Sequence, residues 1–216
     1  MTHVNAGLAE AIYEEVRERI LSGALPPPAA VRQEALAQAL GVSKIPLREA
    51  LARLEQDGLL ASARNRGYFV RPLDAAEAEE IFALRLKIEP EVVGLASVCA
   101  TEADQEAAHA ALLALEREIE AHGLRAGALN RAFHLALARP ARQPVTLQVL
   151  ERLHVLSDRY VREHLAPPGR DTRAETEHHL LFESWKSRDH DEVVRMSAAH
   201  IATTLQDLRR QLAPEA

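Results

Sequence analysis

Leu36–Gly58 reads LAQALGVSKIPLREALARLEQDG, which parses as a short helix, a tight turn at Gly41-Val42-Ser43 and a second, longer amphipathic helix. Gly41 has no Cβ to clash and suits the left-handed position that ends the first helix. Ser43 stands where its hydroxyl can cap the second helix by accepting from an orphan backbone N–H. Leu47, Ala50, Leu51 and Leu54 follow the i, i+3, i+4, i+7 spacing of one buried helical face. Lys44, Arg48 and Glu49 fall elsewhere, with the two cations near the N-terminal end. Two short helices, a glycine turn and cations at the start of the second outline a helix-turn-helix. Alone, the segment also fits an ordinary helical hairpin with a solvated face, so its neighbours decide.

Upstream, Leu8, Ile12, Val16 and Ile20 step by four and predict a first helix, stopped by Ser22-Gly23 and Pro26-Pro27-Pro28. Downstream, Leu59-Leu60-Ala61-Ser62 and Tyr68-Phe69-Val70 are short strand-like runs around the polar loop Ala63-Arg64-Asn65-Arg66-Gly67. A β-hairpin with two arginines at its tip is by itself often a solvated turn. Next to a helix-turn-helix it reads as the wing of a winged helix-turn-helix. The second helix would then enter the major groove, and the hairpin would reach the backbone or the adjacent minor groove.

The charge distribution agrees. The 216-residue chain carries a net charge of −6, which excludes a uniformly basic nucleic-acid coat. Yet Ser43–Arg71 holds six cations (Lys44, Arg48, Arg53, Arg64, Arg66, Arg71) against Glu49, Glu55 and Asp57, a net of +3 that leaves −9 for the remainder. A basic face on an acidic protein suits a polyanion at one end only. The one cysteine, Cys99, lies in the apolar run Val92–Ala100 and reads as a small buried hydrophobe. A single cysteine forms no internal disulfide, and no apolar run approaches the roughly 20 residues of a spanning helix. The expectation is a soluble, cytoplasmic protein with no membrane partner.

After Arg71-Pro72-Leu73 the pattern is helical throughout. Asp74 with Glu77 caps a helix expected to run to about Ile88, where Pro90 interrupts it and starts the next. Thr101 with Asp104 caps another, ending near Gly123. A helix over Gly127–Ala138 is followed by a loop between Pro140 and Pro144, a helix through Tyr160, a break at Pro167-Pro168-Gly169, and two last helices over Asp171–Ser187 and Asp189–Leu212. The fold class is therefore mainly α: a winged helix-turn-helix over residues 1–72 and an all-helical antiparallel bundle over residues 73–216.

The chain resembles the GntR family of bacterial transcriptional regulators, in the FadR-like branch with an FCD effector domain. The resemblance runs through Gly23-Ala24-Leu25-Pro26-Pro27, Glu34-Ala35-Leu36-Ala37, Gly41-Val42-Ser43-Lys44, Pro46-Leu47-Arg48-Glu49-Ala50-Leu51, Arg53-Leu54-Glu55, Asp57-Gly58-Leu59-Leu60 and Asn65-Arg66-Gly67. It implies a dimer that binds double-stranded DNA at a palindromic operator, with Lys44, Arg48, Arg66 and Gly67 as DNA contacts and Arg32 and Arg64 as phosphate neighbours. The chain departs from the family pattern at Pro28, at Gln33 and at Lys44-Ile45, where Arg-Thr is usual. Lysine neutralises phosphate but lacks the fork that grips guanine at two points.

Ten histidines invite a search for a metal site, although a histidine on a half-apolar helix is most often simply part-buried. The resemblance implies a divalent metal held by an Asp-x-x-x-His pair and two later histidines. Asn130 and His134, His178, and His200 fall on those positions, with Asn130 in place of the carboxylate. Three imidazoles and a neutral amide suit Zn²⁺ or Ni²⁺ better than Mg²⁺ or Ca²⁺. The same resemblance implies a small organic carboxylate as effector, with Arg85 and Arg159 as candidate opposing cations, though both also read as surface ion-pair arginines. The competing readings are a metal-dependent enzyme and a metal sensor built on the three-histidine site. No His-Glu-x-x-His base accompanies it, and an enzyme would not need the basic wing.

Overall fold

The computed structural model describes residues 2–63, 67–121, 123, 125–165, 167 and 169–213, the side chains of 2–6, 162 and 163 excepted. By its contacts the chain divides into two compact units, Met1–Leu73 and Asp74–Ala216.

The first unit is built from α1 (Thr2–Leu21), β1 (Ala30–Val31), α2 (Gln33–Leu40), α3 (Lys44–Gln56), β2 (Leu60–Ala63) and β3 (Gly67–Val70). Gly41 ends α2 at φ 64° and ψ 31°, the left-handed cap that its lack of a Cβ permits. Ser43 takes the N-cap place of α3 in extended geometry, but its hydroxyl makes no capping bond, contrary to the expectation. The helix is held instead by its inner face, where Leu47, Ala50, Leu51 and Leu54 are all fully buried. Each such leucine contributes about 1.5–3 kcal/mol relative to exposure. They pack on α1 through Ile12, Val16 and Ile20, whereas Leu8, the first residue of that four-step series, is 38% exposed. A strict four-residue step drifts around a 3.6-residue helix, so its first member leaves the contact.

The hairpin is part of a three-stranded antiparallel sheet in the order β1-β3-β2. Strand β3 pairs Tyr68 with Ser62 and Phe69 with Ala61 on one side, and with Val31 and Ala30 on the other. A two-residue β1 has no periodicity to read, which is why sequence patterning found only the hairpin.

The second unit comprises α4 (Ala75–Cys99), α5 (Glu102–Glu120), α6 (Ala126–Ala138), α7 (Pro144–Leu165), α8 (Arg170–Lys186) and α9 (His190–Gln211), with a 3-10 turn at Arg139–Ala141. Its caps are those written in the sequence. Asp74 accepts from the Glu77 N–H at 2.7 Å, Thr101 and Asp104 form a reciprocal capping box, and Asp189 accepts from the Glu192 N–H at 3.2 Å. Pro90 does not divide α4, which continues for 25 residues through it. Ile81, Phe82, Val92, Val93 and Ala96 bury one stripe on both sides of the proline, and that shared packing outweighs the lost hydrogen bond. The same stripe leaves Val98 and Cys99 outside, so Cys99 is exposed rather than buried. Helix α4 lies chiefly along α9, α5 along α6, and α6 along α7. Trp185 sits fully buried in the core with Phe133, Leu137 and Leu150, its indole N–H donating to the Leu137 carbonyl at 3.1 Å.

Candidate functional site

In the first unit the DNA-contact candidates occupy the outer face of α3 and the adjoining sheet. Lys44 and Arg48 are both exposed one turn apart on α3, and the Lys44 Nζ lies 2.8 Å from the Glu34 carboxylate in a fully solvated pair. That contact is worth little in water and is easily exchanged for phosphate. Arg32, also exposed, immediately follows β1, and continuing the β1–β3 register places it beside Gly67. Gly67 begins β3 at φ 79°, a conformation that L side chains rarely adopt. Arg64, Asn65 and Arg66 lie outside the described residues.

In the second unit the structure brings together residues from five helices. His134 comes from α6, His178 from α8 and His200 from α9, and their ligand atoms lie within 4.8 Å of one another. Ring centroids are 5.3 Å apart for His134–His178 and 4.8 Å for His178–His200. Asn130, one turn before His134 and 6% exposed, lines the same cavity. The cavity is small and is completed by His164 of α7, Arg85 and Phe82 of α4, and Thr204 of α9.

Each imidazole is prepared differently. His134 sets Nδ1 3.2 Å from Glu89 Oε1 and leaves a buried Nε2 with no partner among the described residues. His200 sets Nδ1 2.7 Å from Glu177 Oε2. In His178 both ring nitrogens are buried and meet no partner among the described residues. Desolvation pushes the His134 pKa down to about 3, opposed by the Glu89 carboxylate, and desolvation followed by repulsion from His200 and His134 holds His178 well below the usual range. Both rings are therefore neutral at pH 7, the form that ligates metal. Orphaned buried nitrogens beside carboxylate-oriented partners are what a metal centre requires of its inner and outer residues. The donor set fits a divalent transition metal.

Glu89 is the residue that sequence reading missed. It is fully buried, and burial alone would raise its carboxyl, but Arg85, His154 and His134 together hold it well below the ordinary range. Arg85 grips it at two points, Nε to Oε2 at 2.8 Å and Nη2 to Oε1 at 3.1 Å, while Nη1 donates to Ser157 Oγ at 3.3 Å. The His154 Nε2 stands 3.2 Å from the other side of the carboxylate. The fork of Arg85, expected to meet a free carboxylate, is thus engaged by an internal one, although the residue does border the cavity. Arg159 is 5% exposed, places its guanidinium 6.0 Å from the Tyr160 ring centroid, and is not among the cavity-lining residues described. The Arg85/Glu89 pair at i, i+4 was visible as a helical ion pair, but its burial was not. His179 and His109 face elsewhere, on Glu116 at 2.6 Å and stacked against Phe182.

A winged helix-turn-helix unit and a separate helical unit enclosing a histidine-lined cavity together define a class of DNA-binding regulator. Known proteins agree. The model of bacterial regulatory proteins of the gntR family matches residues 8–70, and that of the FCD domain matches residues 80–203. The chain is 29% identical to the HTH-type transcriptional regulator YdhC of Bacillus subtilis, over 93% of this chain and 90% of that protein. It is 32% identical to the Nta operon transcriptional regulator of Aminobacter aminovorans, over 81% of this chain and 82% of that protein. The solved structure of Escherichia coli McbR/YncC superposes with a TM-score of 0.82 at 25% identity, covering 94% of this chain and 98% of that one. The chain belongs to the GntR family of bacterial transcriptional regulators and carries an FCD domain; it is a regulator and not an enzyme. No described helix is long and apolar enough to cross a membrane.

Proposed function

We propose that the chain is a cytoplasmic, dimeric regulator that binds a palindromic operator through α3 and the wing, with affinity set by a small organic acid in the helical unit. The observation that carries the effector half of this reading is the histidine cluster: three imidazoles converging on one cavity, with buried ring nitrogens of His134 and His178 that meet no partner among the described residues. His134, His178 and His200, with the Asn130 amide, would hold Zn²⁺ or Ni²⁺, which would supply a positive centre for a carboxylate. Glu89 and Glu177 orient the His134 and His200 rings, so that each keeps Nε2 for the cavity. On the DNA side, Lys44 and Arg48 neutralise phosphate or reach base edges, Arg32 and Gly67 stand beside one another in the β1–β3 register, and Arg64 and Arg66, which fall between β2 and β3 in the sequence, add two further cations for phosphate. Effector binding then biases the arrangement of two DNA-binding units by a coupling free energy.

The test is operator binding by the full chain with and without Zn²⁺, across a panel of small carboxylates. Regulation by an organic acid predicts that a carboxylate changes affinity only when the histidines are intact. A change with Zn²⁺ alone would make the ion itself the signal. Binding of upstream DNA by a Lys44→Ala/Arg48→Ala/Arg66→Ala variant as tightly as by the parent would refute the DNA-side assignment. Metal content of the purified chain against His178→Ala/His200→Ala decides the centre, and equal, negligible metal in both removes it.

A further inference from the structure

The outer face of α3 carries an apolar side chain that the described residues of its own unit leave mostly uncovered. Ile45, the second residue of the helix, is 68% exposed, and among the described residues Val145 alone is a more exposed large hydrophobe. Pro46 and Leu47 behind it are buried, so the helix cannot turn Ile45 inward without exposing its own packed stripe. Helical spacing puts Ile45 on the same face as Arg48, Glu49 and Ala52, with Lys44 beside it. An isoleucine in a helix holds essentially one χ1 rotamer, so this contact surface is presented ready-formed.

A cation-flanked, rigid apolar group at the N-terminal end of a groove-entering helix selects one base chemically. In the major groove every base edge offers hydrogen-bonding groups, and only thymine also presents a methyl group, at C5. We propose that Ile45 reads a thymine 5-methyl group, making thymine the specified base at one position in each operator half-site. This rests on the reading that α3 enters the major groove. Lys44 and Arg48 then serve the phosphates or a neighbouring purine, and the exposed Lys44–Glu34 pair opens as the phosphate replaces the carboxylate.

The experiment selects duplexes from a random-sequence library with the full chain, then measures binding of the selected duplex with each enriched thymine replaced in turn by deoxyuridine, which differs only by the methyl group. One position should weaken parental binding about fourfold per methyl removed, the transfer value of one buried carbon. Ile45→Ser, an exposed substitution whose folding is checked by thermal unfolding, should bind the thymine and deoxyuridine duplexes equally and select no thymine there. If the parent binds every deoxyuridine duplex as tightly as its thymine counterpart while Lys44→Ala/Arg48→Ala loses binding, α3 still reads DNA and the proposal for Ile45 is wrong. If Lys44→Ala/Arg48→Ala binds the selected duplex as tightly as the parent, or no sequence is enriched, the groove-entry reading falls and this proposal with it.

Discussion

Replacing Arg85 with methionine leaves the Glu89 carboxylate in a site where its side chain is 1% exposed. In the parent the two-point contact at 2.8 and 3.1 Å compensates that charge out of reach of solvent. Removing one member of a buried pair costs about 3–5 kcal/mol because the other is stranded. Here the His154 and His134 nitrogens, each 3.2 Å from the carboxylate, remain and place the expected loss near the lower end, about 3 kcal/mol. Adding Glu89→Leu removes the stranded charge but leaves those two ring N–H groups without an acceptor, at about 1 kcal/mol each. The double variant should therefore be more stable than Arg85→Met, by about 1 kcal/mol or more. Urea unfolding followed by tryptophan fluorescence reads this cleanly, because the sole tryptophan, Trp185, is buried in the helical unit. A loss below about 1 kcal/mol for Arg85→Met, or a double variant less stable than the single, would refute the account of Glu89 as a charge dependent on Arg85.

Other consequences are simpler to measure. Asn130→Asp restores a charged donor to the cavity and should tighten Zn²⁺ binding by about tenfold or more in competition titrations, at some cost to the metal-free protein from a buried carboxylate. Tyr160 donates to Glu77 Oε2 at 2.7 Å, and burial, followed by that carboxylate, raises its phenol pKa. Above pH 10 the unfolded chain releases this proton and the native one keeps it, so stability falls as pH rises past 10; Tyr160→Phe should show a shallower decline in unfolding free energy there. Gly41→Ala meets no atom within 4 Å but must hold φ near +64°, so about 1 kcal/mol of stability should be lost through the backbone alone, by thermal unfolding. Ser43→Ala should cost less than about 0.5 kcal/mol, below the usual value for a cap, because its hydroxyl makes no capping bond.

Much of this architecture was legible in the residues themselves because its determinants are local. The inner stripe of α3, the left-handed Gly41 and the Asp74, Thr101 and Asp189 caps each depend on residues within a turn or two of one another. The convergence of His134, His178 and His200 came from a family resemblance and not from spacing, since nothing in a one-dimensional pattern brings residues 66 positions apart within 4.8 Å. What only the tertiary structure decided is where local preference meets packing. Pro90 should end a helix, yet the buried stripe on either side carries α4 through it. Cys99 lies in an apolar run but on the face that run leaves outside, and β1 becomes a strand only by pairing with β3. Glu89 shows the same physics most plainly. An ordinary i, i+4 partner of Arg85 in the sequence becomes, once α6 and α7 close on α4, the buried charge that aims a histidine into the cavity.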